Sequence, residues 1–190
     1  ITPSTASEHL SALVGGGLVR VRKSGRHRYY ELTDTDIAEA LEMVGRLCPS
    51  TGVESLRQAR DRSALALART CYDHLAGRLG VLLYDAMVAN EWIQDGSLEV
   101  TDAGRAGLAE LDIDVTELAK GRRRLTRECL DWTERRTHLA GALGAALAGS
   151  LLTRKWVLRK RGGRGLRITT AGADGLQSTF GLDATTWVVP

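Results

Sequence analysis

The stretch Thr2-Pro3-Ser4-Thr5-Ala6-Ser7-Glu8-His9-Leu10-Ser11-Ala12-Leu13-Val14-Gly15-Gly16-Gly17-Leu18-Val19-Arg20-Val21-Arg22-Lys23-Ser24-Gly25-Arg26-His27-Arg28-Tyr29-Tyr30-Glu31-Leu32 decides the fold. Thr2 can cap free N–H groups, and Pro3 suits the first position of a helix. Ala6, Leu10, Leu13 and Val14 then recur at helical spacing on one face. Ser4, Ser7, Glu8 and Ser11 lie on the other, flanked by Thr5 and His9. Gly15-Gly16-Gly17 offers positive φ and a stop. Leu18 to Arg22 alternates apolar with basic, as a half-buried strand does. A turn at Lys23-Ser24-Gly25-Arg26 leads into a returning strand, His27 to Leu32.

A polar-faced helix followed by a hairpin with a basic tip is the arrangement by which a winged helix grips DNA. The helix enters the major groove, and cations on the wing meet phosphates or the minor groove alongside. The segment Ser4 to Leu13, with Gly17-Leu18-Val19 and Gly25 to Leu32, resembles the ArsR/SmtB family of bacterial repressors. That family carries a Ser-x-His-Leu recognition helix, then Ala-Gly-Leu-Val, then a wing ending in Tyr-x-Leu; Gly16 stands here where Ala is usual. The resemblance runs from Ile1 to about Cys48. It implies that Ser4, Thr5, Ser7, Glu8 and His9 face the groove and that Arg22, Lys23, Arg26 and Arg28 sit on the wing. Arg20 and His27 belong to the same basic surface. His9 taken alone reads as a residue packed against the wing. The bland alternative is a winged helix used for protein contacts.

The whole composition says less. The 190 residues carry a formal net charge of only +3, with 43% hydrophobic and 26% charged residues, which describes an ordinary folded protein of one or two domains. The positive charge is concentrated instead in stretches without acids: Arg20–Arg28, Lys120–Arg127 and Arg154–Arg167. Such runs are commonly solvated faces, and a second DNA-contacting wing at Arg159–Arg167 is the sharper reading. Cys48, Cys71 and Cys129 are too few and too odd in number for a disulfide framework, which fits a reducing cytoplasm. No apolar run approaches the roughly 20 residues of a membrane span. The chain opens at Ile1 without an initiator Met, so residues preceding it are expected.

Asp34 is placed to cap a further helix, whose apolar stripe is Ile37, Leu41, Val44 and Leu47. In the ArsR/SmtB family this helix builds a homodimer; packing onto a second domain is the alternative. Metal sensors of that family often carry Asp and His ligands on this helix. No His is present here, so that route to metal sensing is unsupported. Pro49-Ser50-Thr51-Gly52 reads as a linker, giving a winged-helix domain over 1–48, a linker over 49–54 and a second domain over 55–190.

The second domain contains an internal repeat, over about 71–112 and 129–183. His74-Leu75-Ala76-Gly77-Arg78-Leu79-Gly80 recurs as His138-Leu139-Ala140-Gly141-Ala142-Leu143-Gly144. Leu98-Glu99-Val100-Thr101-Asp102-Ala103-Gly104 recurs as Leu166-Arg167-Ile168-Thr169-Thr170-Ala171-Gly172. Each copy reads as a helix carrying the Leu-Ala-Gly segment, a short strand or hairpin, then a helix capped by Thr101 or Thr169, a wing-like unit similar to the strand-Thr-x-Ala-Gly segment of MarR-type proteins. The expected class is α+β, mainly α with small β-hairpins: a winged helix–turn–helix followed by a helical domain built from two wing-like repeats. The second domain is read as an effector-sensing or dimerisation unit.

Both copies hold Cys-x-Asp ahead of their His. Cys71, Asp73 and His74 stand in one, and Cys129, Asp131 and His138 in the other. Cys and His three apart, as Cys71 and His74 are, can share a helix face; Cys129 and His138 are nine apart. If the repeats meet about a pseudo-dyad, the two thiols and two imidazoles converge, a donor set for zinc, a softer metal ion or a metalloid. Opposed thiols could instead form a redox pair. The plain reading buries the cysteines as small apolar groups, with each His packing a helix start. Trp92, Trp132, Trp156 and Trp187 all fall in this domain, as core or as walls of an organic effector pocket. The expected protein is thus a cytoplasmic homodimeric repressor of a double-stranded DNA operator. A small-molecule or metal effector would release it. The rival of another class is a protein-interaction module. A Cys71–His74 nucleophile and base lacks any recognisable oxyanion hole.

Overall fold

Thr2 does cap the first helix: the Thr5 N–H donates to its Oγ1 over 3.3 Å, and α1 runs Pro3–Gly15. Gly16 closes the helix on Ala12 O, and Gly17 takes φ +72°, a conformation that L side chains rarely adopt. The chain reverses there into β1 (Val19–Ser24) and β2 (His27–Leu32), paired antiparallel from Val19–Leu32 to Ser24–His27 about the turn Gly25-Arg26. Thr33 fastens the hairpin base to the helix stop, its Oγ1 donating to Gly17 O over 2.6 Å. Asp34 then caps α2 (Thr35–Leu47) through the Asp36 N–H at 2.7 Å.

The structure, a computed structural model, describes residues 1–47, 55–161, 163–183 and 185. The linker at 49–54, Cys48 and Trp187 lie outside the described residues. The chain divides into two compact units, Ile1–Ser50 and Thr51–Pro190. The fold is α+β, with small antiparallel hairpins among the helices, in keeping with the winged-helix-like class read from the sequence.

In the second unit, α3 (Leu56–Leu67) leads into the hairpin β3 (Arg69–Cys71) and β4 (His74–Ala76), then α4 (Arg78–Ala89). After α5 (Asp102–Ala109) and α6 (Val115–Ala119) comes a second hairpin, β5 (Arg127–Leu130) and β6 (Thr137–Ala140), followed by α7 (Gly141–Thr153). A third hairpin, β7 (Val157–Arg159) and β8 (Leu166–Ile168), and then α8 (Thr170–Phe180) follow. The Leu-Ala-Gly segments are not helical at their start. His74-Leu75-Ala76 and His138-Leu139-Ala140 are strands, and the helices begin only after Gly77 and Ala140. The alternation of small and bulky residues suits either state, and the positive φ of Gly77 (+75°) and Gly141 (+85°) marks the break.

Packing is crosswise. Helix α4 lies on β6, and α7 lies on β4. A Cβ at Gly80 would meet His138 Cβ at 3.6 Å, and one at Gly144 would meet His74 Cβ at 3.3 Å. The closer clash at each would be with the preceding strand, Leu75 O at 2.6 Å and Leu139 O at 2.5 Å. These glycines therefore allow the tight step from strand to helix and, at Gly144, a close approach to His74. Leu79, Leu83, Met87, Leu143, Leu147 and Leu151 fill the core between them.

Thr101 and Thr169 cap α5 and α8, accepting from Gly104 N at 3.0 Å and Gly172 N at 2.9 Å. Trp92 and Trp156 sit alike before these helices. A Cβ at Gly107 or Gly175 would collide with the Trp92 or Trp156 indole ring. These two tryptophans therefore belong to the packing. Gly107→Ala and Gly175→Ala should each destabilise by about 1–3 kcal/mol, because a core ring must move. Gly149→Ala, on an open face of α7, should stabilise by about 0.5–1 kcal/mol. Urea denaturation of the three variants checks the contrast.

Candidate functional site

The polar face of α1 carries Ser4, Ser7, Glu8 and His9 in solvent, with Thr5 half-buried. His9 is exposed rather than packed on the wing. Ser7 Oγ donates back to Pro3 O over 2.9 Å. On the hairpin, Arg20 and Glu31 are cross-strand partners, as are Arg22 and Tyr29. Glu31 takes Arg22 Nε at 3.1 Å and Arg20 Nε at 3.4 Å, and Arg22 also lies over the Tyr29 ring. The Arg22 guanidinium is the main reason the Glu31 carboxyl sits below its ordinary range. Lys23, Arg26, His27 and Arg28 gather at the exposed tip, where none makes an ion pair among the described residues.

The second candidate site is buried in the other unit. Cys71 and His74 are cross-strand partners in β3–β4, and Cys129 and His138 are cross-strand partners in β5–β6. The helix face expected for Cys71 and His74 is therefore wrong: a hairpin pairs them. This also removes the spacing mismatch, since a longer β5–β6 loop absorbs the extra residues without changing the pairing. All four side chains are buried, with Cys71 4%, His74 1%, Cys129 7% and His138 1% exposed. Their donor atoms lie within 4.8 Å of one another. The two Sγ atoms are 3.9 Å apart, and His74 Nε2 is 3.2 Å from His138 Nε2.

Asp73 and Asp131 stand outside this cluster, behind the imidazoles. His74 Nδ1 lies 3.3 Å from Asp73 Oδ1, and His138 Nδ1 lies 4.0 Å from Asp131 Oδ2. Asp73 is held from its other side by Arg123. Burial raises the Asp73 pKa, but hydrogen bonds from His74 and Arg123 outweigh it and bring the value down to about 2. Burial works against protonation of His74, yet Asp73 and Cys129 together raise its pKa. The hydrogen bond with Cys71 does most to hold the Cys129 thiol far below its ordinary value, against burial and with help from His138 and His74. Burial likewise disfavours an ionised Asp131, and Thr133, Arg69 and Gly77 N–H overcome it.

Sequence reasoning missed Arg69. It is 1% exposed and donates to Asp131 Oδ2 over 2.7 Å, to Leu65 O and to Thr133 Oγ1, with its guanidinium 4.6 Å over Trp132. The signal lies in the repeat: Arg69-Thr70-Cys71-Tyr72-Asp73 matches Arg127-Glu128-Cys129-Leu130-Asp131, an Arg-x-Cys-x-Asp motif that extends the Cys-x-Asp pair. Removing one partner of a buried ion pair strands the other, at a cost of about 3–5 kcal/mol. Asp131→Ala should lose that much stability in denaturant titrations at neutral pH; a loss below about 1 kcal/mol would show the clasp to be incidental.

No family model matches the chain, and no solved structure matches it. Among curated proteins it is similar to the uncharacterized HTH-type transcriptional regulator YdfF of Bacillus subtilis (strain 168). The two are 41% identical over 174 residues, spanning 90% of this chain and 77% of that protein. With a helix and basic hairpin at its start and this kinship along nearly its whole length, the chain belongs to the HTH-type transcriptional regulators.

Proposed function

We propose that the chain is a homodimeric repressor of the ArsR/SmtB type, gripping a palindromic operator through α1 and the β1–β2 wing and released by an effector bound in residues 55–190. The exposed Ser4, Ser7, Glu8 and His9 beside the cationic tip of Lys23, Arg26 and Arg28 carry this reading. Small polar groups can approach base edges, while the tip cations neutralise phosphates and release counterions. Arg20 and Arg22 contribute less, because Glu31 already offsets part of their charge. Such a protein works in the cytoplasm, where its thiols stay reduced. No described helix is long and apolar enough to cross a membrane.

The homodimer rests on α2. Ala38 is buried, but Leu41 is 56% exposed and Val44 58%, an apolar stripe of the kind a two-fold partner covers. The effector role rests on the second unit, which we read as a duplication: both halves repeat the cross-strand Cys–His pair, the positive-φ glycine before a helix and the Thr-capped helix under a tryptophan. An effector changes DNA affinity only by binding the DNA-incompetent state more tightly.

Binding to fragments of the chain's own promoter, measured against salt, tests the reading. Affinity should fall steeply with salt, with footprint protection of a two-fold sequence. Lys23→Ala, Arg26→Ala and Arg28→Ala should each lower the salt slope by about one and weaken all sequences alike. Ser7→Ala and His9→Ala should instead alter discrimination between sequences. Binding without sequence preference or salt dependence would favour a protein-docking role. Leu41→Glu should shift the sedimentation coefficient to that of a monomer and lower operator affinity at least tenfold, since half-sites would be bound singly.

A further inference from the structure

We propose that Cys71, His74, Cys129 and His138 bind one zinc ion per chain in a closed four-coordinate site joining the two hairpins. The distances fit. A tetrahedron with metal–sulfur bonds of about 2.3 Å and metal–nitrogen bonds of about 2.0–2.1 Å has a sulfur–sulfur edge near ~3.8 Å and a nitrogen–nitrogen edge near ~3.3 Å. The structure has 3.9 Å and 3.2 Å; the sulfur–nitrogen pairs lie within 4.8 Å, against an edge of about 3.6 Å in such a tetrahedron, so an ion would draw the two hairpins slightly closer. Two thiolates and two imidazoles suit zinc and its soft neighbours; magnesium and calcium take oxygen donors.

The imidazole orientations point the same way. Each ring turns Nε2 inward; His74 Nδ1 meets Asp73 Oδ1 at 3.3 Å, whereas His138 Nδ1 lies 4.0 Å from Asp131 Oδ2 and makes no hydrogen bond among the described residues. The His74 arrangement is how metal-bound histidines are held, with the outer N–H on an acceptor and the inner lone pair on the metal. The 3.2 Å contact between the two Nε2 atoms is met either by one shared proton or by a cation between two lone pairs. A disulfide accounts for less: the sulfurs would have to close from 3.9 Å to about 2.05 Å, and the facing imidazoles would have no part in it.

Binding requires both cysteines as thiolates and both imidazoles neutral, with any protons they hold released to solvent, and Zn2+ with two thiolates is electrically neutral, which makes burial affordable. All four positions are filled by protein, as in structural sites, so no place is left for a reacting water. Each hairpin supplies one sulfur and one nitrogen, so the ion ties β3–β4 to β5–β6. None of this requires the operator-binding reading, and the test involves no DNA.

The test uses the full chain, purified under reducing conditions, stripped with chelator and titrated with zinc. Elemental analysis should find about one zinc per chain, and the melting temperature should rise on zinc addition. Cobalt(II) in its place should give the intense visible bands of a tetrahedral ion and a thiolate-to-cobalt charge-transfer band. Cys129→Ser and His138→Ala should cut zinc retention at least tenfold, while Cys48→Ser keeps one per chain. Because those site variants could misfold, the titration of unmutated protein decides. Reduced wild-type chain that takes up neither zinc nor cobalt overturns the proposal, as does cobalt in an octahedral, sulfur-free spectrum. A Cys71–Cys129 disulfide that, once reduced, yields no metal uptake overturns it too, leaving the thiol pair as the reading.

Discussion

Asp131 has no exposed side-chain surface, yet its carboxylate is kept ionised by hydrogen bonds from Arg69, Gly77 N–H, Thr133 N–H, Thr133 Oγ1 and Glu134 N–H. An isolated buried carboxylate would cost several kcal/mol, so these donors and the acid hold one another in place. The contacts run between distant parts of the chain. Arg69 opens β3, and Gly77 is the residue at which the chain leaves β4 for α4. A Cβ on Gly77 would also press on the Ala66 carbonyl at 2.6 Å, so the position suits glycine by space as well as by its φ of +75°. An acid from the second hairpin thereby sets where the first helix of the core begins. That helix in turn packs on the strand carrying His138.

Much of this was written in the chain as pattern. The caps at Thr2, Asp34, Thr101 and Thr169 each have a side-chain oxygen ahead of a helix, and each accepts the N–H that a cap should. The alternation of Val19, Arg20, Val21 and Arg22 specified a strand because a turn at Lys23-Ser24-Gly25-Arg26 and a returning run, His27 to Leu32, stand beside it. His-Leu-Ala-Gly was a different matter. Four residues do not distinguish a strand from a helix, and the decision came from backbone geometry at the glycine and from pairing with Cys71 or Cys129. Local spacing could propose a convergence of the two cysteines and two histidines, but not its register. Arg69 was hidden for a related reason: in a count of cations it is one among 26, and only burial separates it from the solvated rest.

The wing shows how a cationic run is graded by its neighbours. Counted along the sequence, Arg20, Arg22, Lys23, Arg26 and Arg28 look equivalent. Cross-strand pairing puts Glu31 opposite Arg20 and next to Arg22, so the base of the hairpin is partly neutralised and the field strongest at the tip. Exposed ion pairs of this kind contribute little stability, about 0–1 kcal/mol. Their effect falls on where an anion is drawn and how the arginines are oriented when it arrives.

The two buried networks meet at His138. Its Nε2 faces the cysteine and histidine cluster, and its Nδ1 faces the carboxylate that holds Arg69. Neither hairpin alone offers more than one sulfur and one nitrogen, and two donors do not enclose a tetrahedral ion. Any ion held by all four is therefore linked thermodynamically to the two hairpins staying together. Tolerance is narrow, because metal–ligand bonds vary by only about 0.2 Å. Such a site discriminates between two states of the unit only if the hairpins separate or slide between them. An ion that merely filled the site equally in both would stiffen the unit and leave the affinity for DNA where it was.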